Sequence, residues 1–200
     1  GPLPMFIWPE SADPDAAFIT IDPAGFRDGA DDNVITGHYI WNRKGYIAEM
    51  EGGKMDPSTV IRDSIAMAIR LRASLIGIED VAYQQTLAFW MTFWLEKLNI
   101  TGITVVGLKA SRGSKESRIR AWFKEVYAGE YSFLRDQDRQ RVAWQGTAYR
   151  AGKKKNRDDW LDSPAMATIV RNDYSHLLSM RRDQDLKSIG VELHNIPVGM

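Results

Sequence analysis

Phe18-Ile19-Thr20-Ile21-Asp22-Pro23-Ala24-Gly25 is the stretch on which the fold turns. Its β-branched and aromatic residues predict a buried strand. The strand ends at Asp22, because Pro23 has no backbone N–H to donate to a ladder and the Pro-Ala-Gly run breaks regular structure. An acid at the end of such a strand has two readings. It is an ordinary turn former, or it stands on the carboxyl edge of an α/β sheet, where sites are built.

Beyond that strand, Arg27 to Asn33 reads as a polar loop. Val34 to Trp41 and Tyr46 to Met50 read as two more strands, joined by a turn at Asn42-Arg43-Lys44-Gly45, so the first three strands are consecutive antiparallel neighbours. Asp56-Pro57 opens a helix, with Pro57 suited to the first helical position and Val60, Ile61, Ile65, Ala68, Ile69 and Leu71 on its apolar face. Leu75 to Ile78 predicts a fourth strand running into Glu79-Asp80. A helix follows from about Gln84 to Leu98, a strand over Ile103 to Val106, and a helix over Ser117 to Tyr127. Tyr131 to Leu134 suggests a short strand, Asp136 to Trp144 a helix, and Ala165 to about Tyr174 a late helix. Antiparallel strands first and βα alternation second predict an α/β domain with a mixed sheet and helices on both faces.

The 200 residues suit one domain with a full core. Hydrophobic residues at 44% and charged residues at 26% are the proportions of an ordinary globular chain. Lys+Arg and Asp+Glu balance at 26 each, which argues against a protein coated in positive charge but leaves room for a local basic groove. With no cysteine, disulfide frameworks, thiolate zinc sites and cysteine nucleophiles are excluded together. No apolar run reaches the roughly 20 residues that cross a bilayer, and no signal-peptide pattern opens the chain. Gly1-Pro2-Leu3-Pro4 looks like a protease-cleavage scar. The expected division is residues 1–4 scar, 5–17 lead-in, 18–180 domain and 181–200 extension.

Three acidic groups fall where sites are made. Asp22 ends the first strand, Glu79 and Asp80 end the fourth, and Asp158, Asp159 and Asp162 surround the start of a late helix. If the first and fourth strands are adjacent, Asp22 and Glu79 lie side by side. Clustered carboxylates repel one another unless a cation binds, and hard cations such as Mg²⁺ take oxygen ligands while keeping water for chemistry. Two such ions about 3.5–4 Å apart suit phosphodiester hydrolysis. His38, His176 and His194 are scattered without metal-ligand spacing. The bland reading of Asp158-Asp159 is helix capping.

The ordered set Ile19-Thr20-Ile21-Asp22-Pro23-Ala24, then Ile76-Gly77-Ile78-Glu79, then Asp158-Asp159-Trp160-Leu161-Asp162 resembles the nuclease domain of tailed-phage large terminase subunits. Ser114-Lys115-Glu116-Ser117-Arg118-Ile119 is similar to that family's Lys-x-x-Arg segment, and Ala128-Gly129-Glu130-Tyr131-Ser132-Phe133 to the turn and strand that follow it. The resemblance spans roughly Phe18 to Val170. It implies an RNase H-like fold and a metal-dependent DNA endonuclease holding two divalent cations, Mg²⁺ or Mn²⁺. Asp22, Glu79, Asp158 and Asp159 would be catalytic, with Asp162 added to the metal ligands. It also implies an ATPase domain upstream, a small terminase subunit and a portal as partners, and work in the host cytoplasm with no membrane. The chain departs from the pattern at Arg157, where the family often has His. Pro164 follows the acids, and Ser163-Pro164 reads as an alternative helix start, which would leave Asp158 to Asp162 in a turn. Asp159 or Asp158 is favoured over Asp162. Gly107 to Ser114 comes near a phosphate-binding loop, but its spacing is wrong by one residue and Ser interrupts Gly-Lys, so no ATP hydrolysis is expected.

Two basic segments flank the acids and are expected to contact double-stranded DNA: Lys109, Arg112, Lys115, Arg118 and Arg120, and Lys153, Lys154, Lys155 and Arg157. The Phe89-Trp90-Met91-Thr92-Phe93-Trp94 run reads mainly as packing. The alternatives are another RNase H-like nuclease, of junction-resolvase or transposase type, and a non-catalytic nucleic-acid-binding domain. No base-reading motif is visible, so cutting of low sequence specificity is expected.

Overall fold

The computed structural model describes residues 2–23, 32–80, 84–109, 115–150, 158–182 and 193–197. β1 (Ala16–Asp22) is buried along its whole length. It pairs antiparallel with β2 (Asn33–Trp41), which pairs antiparallel with β3 (Lys44–Gly53). The β2–β3 turn is tighter than the sequence suggests. Only Asn42 and Arg43 lie between the strands, at φ 50° and 66°. Two left-handed residues match the twist of a two-residue hairpin, and Asn42 suits that conformation better than Arg43 does.

α1 (Pro57–Leu71) starts as its sequence indicates, with the Asp56 carboxylate accepting from the Thr59 backbone N–H at 2.8 Å and Pro57 in the first turn. β4 (Leu75–Glu79) then lies parallel to β1, pairing Phe18 with Leu75 and Ile21 with Ile78. α2 (Gln84–Lys97) leads to β5 (Thr104–Leu108), parallel to β4. α3 (Lys115–Tyr127) leads to β6 (Tyr131–Phe133), which joins the far edge parallel to β3, and α4 (Asp136–Ala148) follows. The sheet order is β5-β4-β1-β2-β3-β6. This is the mixed sheet expected from the order of elements, with β1 in its interior, parallel to β4 on one side and antiparallel to β2 on the other.

The period-2 alternation of the strands divides the interior. Ala17, Ile19 and Ile21 of β1 and Ile76 and Ile78 of β4 enter one core, with Val60, Ile61 and Ile65 of α1 and Met91 of α2. Phe18 and Leu75 enter the other, with Ile119, Trp122 and Val126 of α3. Burying one such side chain contributes roughly 1.5–3 kcal/mol, so a one-residue slip of β1 would lose several at once and turn Asp22 to the other face. Gly37 of β2 lies under α1, where an added Cβ would run into the Leu71 side chain.

The late helix differs from expectation. Instead of one helix from Ala165, there are two short ones, α5 (Asp159–Ala165) and α6 (Ala167–Asp173). Asp159 to Asp162 are helical, and Ser163 caps nothing. Pro164 sits inside α5 and supplies no N–H to the turn before it, and the chain re-starts at Met166. Residues assigned to the scar and the extension also pack on the domain. Leu3 is buried in the second core, Pro4 and Phe6 exchange backbone hydrogen bonds with Phe133, and Leu193 and Ile196 are buried in the first core.

Candidate metal centre

Asp22, Thr20 and Phe18 share one face of β1, and Glu79, Gly77 and Leu75 the matching face of β4. Because Ile21 pairs with Ile78, Asp22 and Glu79 come level at the carboxyl ends of adjacent parallel strands. α5 crosses that face from β1 to β2 and completes the group. One oxygen each of Asp22, Glu79 and Asp162 lie within 4.8 Å of one another. Asp22 and Asp162 are buried and Glu79 half-buried.

Helix geometry distributes the three late aspartates. Asp158 precedes α5, and Asp162, one turn on, is fully buried against the sheet. Asp159 turns towards the start of β2, its Oδ2 accepting from the Asp32 backbone N–H at 3.2 Å. The sequence favoured Asp159 or Asp158 over Asp162; the structure sets Asp162 beside Asp22 and Glu79, with Asp158 paired to Lys115 and Asp159 buried near the start of β2.

Two cations of α3 answer these acids. Arg118 donates from Nε and Nη2 to Asp162 at 3.0 and 2.8 Å, and its Nη2 lies 3.6 Å from Glu79. Lys115, one turn earlier, lies 2.6 Å from Asp158 and 3.8 Å from Asp162. Arg118, expected as a phosphate contact, is therefore 9% exposed and committed to the acids. Lys115 keeps 40% of its side chain exposed at the mouth. Lys109 is exposed just beyond Leu108, which pairs with Glu79. Arg112, Lys153, Lys154, Lys155 and Arg157 lie outside the described residues.

The acids dominate the local charge. Burial, then the carboxylates of Asp162, Glu79 and Asp159, hold the Asp22 carboxyl well above the ordinary range, against the pull of Lys115. Burial raises Asp162 to about 6 although Arg118 and Lys115 act to lower it. Lys115 loses stabilisation by burial, but Asp22, Asp162 and Asp158 more than offset this and push its pKa up. Asp22 Oδ2 is buried with no hydrogen-bond partner among the described residues. An unserved carboxylate oxygen at such depth is costly, and a cation would serve it. The oxygen-only donor set suits a hard divalent ion.

Sequence reading missed the polar residues under this group. Thr20 and Thr36, paired across β1 and β2, both bond to Ser163 of α5. Thr20 Oγ1 gives its proton to the Ser163 carbonyl at 2.7 Å, so it accepts from His38 Nε2, and His38 Nδ1 in turn accepts from the Tyr131 hydroxyl. Burial and Arg171 lower His38 to about 3, so it stays neutral. The available signal was three hydroxyl or imidazole residues in otherwise apolar strands, but their partners are distant in sequence.

No family model matches the chain, and no curated protein does. Solved structures are similar to it. The nuclease domain of the P22 large terminase superimposes with a TM-score of 0.62 at 13% identity, covering 93% of this chain and 90% of that one. The human cytomegalovirus terminase nuclease domain, soaked with Mn and inhibitor-bound, gives 0.58 at 13% identity, over 82% and 86%. The large terminase of a thermophilic bacteriophage gives 0.56 at 12% identity, over 86% of this chain but 42% of its own length. The likeness is one of fold: this chain has the RNase H-like fold of terminase nuclease domains.

Proposed function

We propose that this chain is the DNA-cutting domain of a viral large terminase of the tailed-phage kind, a metal-dependent endonuclease that hydrolyses phosphodiester bonds of double-stranded DNA during genome packaging. The observation that carries the reading is the Asp22–Glu79–Asp162 cluster, with a buried oxygen of Asp22 that has no donor among the described residues, at the strand ends of a fold shared with terminase nuclease domains.

Asp22, Glu79 and Asp162 would hold Mg²⁺ or Mn²⁺, with Asp158 and Asp159 beside them. Bound there, two such ions supply a polarised phosphate, an ionised water and a neutralised leaving oxygen. The rest falls to the chain's own side chains. Arg118 grips both oxygens of Asp162 and so sets the plane of that carboxylate. Lys115, at the mouth, is placed to leave Asp158 for a phosphate oxygen, and exposed Lys109 extends the positive charge along the strand ends. The fully buried, mutually hydrogen-bonded residues beneath, Thr20, Thr36 and Ser163, keep water from the back of the cluster, which strengthens each charge interaction in it. In this reading the ATPase motor lies in another part of the protein, and the small terminase subunit and portal complete the machine in the host cytoplasm.

The test is incubation with supercoiled plasmid and Mn²⁺ or Mg²⁺. Nicking and linearisation with little sequence preference are expected, and equal degradation in excess EDTA would overturn the proposal.

A further inference from the structure

Resting on that reading of the site, we infer that Ser163 is the positioning residue of the metal centre, locking α5 to the sheet so that Asp162 stands at a set distance from Asp22. Ser163 is fully buried and directly follows Asp162. Three independent bonds hold it. Its carbonyl accepts from Thr20 Oγ1 at 2.7 Å. Its hydroxyl donates to the backbone carbonyl of Val34 at 3.0 Å, with Thr20 O further off at 3.3 Å. Since that one proton is in use, the 2.7 Å contact with Thr36 Oγ1 has Thr36 as donor.

The partners make the geometry specific. Thr20 and Thr36 are opposite one another in the β1–β2 register, and Asp22 is opposite Val34 in the same ladder. Ser163 therefore spans the two strands beside the Asp22–Val34 pair, and a shift of α5 along the sheet breaks all three bonds together. Apolar packing alone does not fix such a position, because apolar contacts have no preferred direction, whereas hydrogen bonds weaken steeply as they bend. Behind Thr20, the neutral His38 and the Tyr131 hydroxyl hold its proton towards Ser163. Outer groups that orient metal ligands typically alter metal affinity by about 10–100-fold when removed.

The experiment measures Mn²⁺ binding to the purified chain by calorimetry, together with plasmid cleavage as a function of Mn²⁺, for wild type, Ser163→Ala, Thr36→Val and the double variant. Thr36→Val removes one hydroxyl at nearly constant shape and keeps the question open to test if Ser163→Ala fails to fold. The expected result is a dissociation constant for Mn²⁺ raised about tenfold in each variant, with the double variant little worse than either single one, while far-ultraviolet circular dichroism is unchanged. Folded variants that bind Mn²⁺ with wild-type affinity would overturn the positioning role, since a purely structural residue moves the melting midpoint alone. Wild-type protein that binds no Mn²⁺ would remove the metal-site reading itself, and this inference with it.

Discussion

At the scale of single residues, the site is a set of buried carboxylates that the fold holds at a cost. Asp22→Asn and Glu79→Gln are each expected to abolish cleavage, by at least roughly the 10–100-fold typical of lost supporting groups. Melting in EDTA should be unchanged or raised, because a repelling charge has gone. A variant cutting at the wild-type rate would remove that residue from the site. The pH dependence has a defined sign. A carboxyl whose pKa is raised by folding binds its proton more tightly in the folded chain, so stability rises as pH falls through the folded value. For Asp162 that window runs from about 6 down to the ordinary 3.8. His38 acts oppositely: lowered from 6.5 to about 3, it takes a proton first in the unfolded chain, and stability is lost as pH falls below 6.5. The two slopes overlap, so a difference isolates Asp22. The melting midpoint of Asp22→Asn minus that of wild type, in EDTA, should be greatest at neutral pH and above and shrink on acidification. A difference that stays flat down to about pH 4 would contradict the raised Asp22 pKa.

At the scale of elements, α3 and α5 meet through the Arg118–Asp162 pair rather than through apolar contact alone. Breaking a buried pair on one side leaves an uncompensated charge and costs about 3–5 kcal/mol. Arg118→Met should therefore lower the unfolding free energy in EDTA by about that much, read by urea denaturation. Mn²⁺ should restore more of the loss than it adds to wild type, because a cation replaces the missing guanidinium. A metal-free stability equal to wild type would show that the pair contributes nothing. This pairing also explains why the Lys-x-x-Arg segment read as DNA-binding. The spacing puts both cations on one side of α3, but which side faces the acids depends on how α3 packs against α5.

At the scale of the molecule, a chain of balanced charge binds DNA only through local positive surface. Replacing Lys153, Lys154 and Lys155 by Ala is expected to weaken duplex binding and to flatten its salt dependence, by about 0.9 in log–log slope for each phosphate no longer neutralised. Mn²⁺ affinity should persist. A triple variant with the parent's affinity and slope would shift the DNA path to Lys109 and Lys115. Of the aromatic run of α2, Met91 and Trp94 are buried in the first core, whereas Phe89, Trp90 and Phe93 are exposed on the layer opposite α5.

The order of strands and helices as far as α4, the strand end at Asp22 and the N-terminus of α1 were legible from sequence alone, and the meeting of Asp22 with Glu79 was legible on the condition, met in the structure, that β1 and β4 are neighbours. Each rests on local patterning or chain direction: apolar alternation, Asp-Pro at a helix start, and parallel strands whose carboxyl ends share an edge. Tertiary structure alone decided that Asp162, of the three late aspartates, stands nearest Asp22 and Glu79, that Arg118 is buried against it, and that Thr20, Thr36, His38, Tyr131 and Ser163 lie beneath it. The physical reason is that a short helix interrupted by Pro164 has no orientation of its own. Its rotation is set by hydrogen bonds from Ser163 to strands more than a hundred residues earlier in the chain, and only that rotation determines which of three closely spaced aspartates faces Asp22.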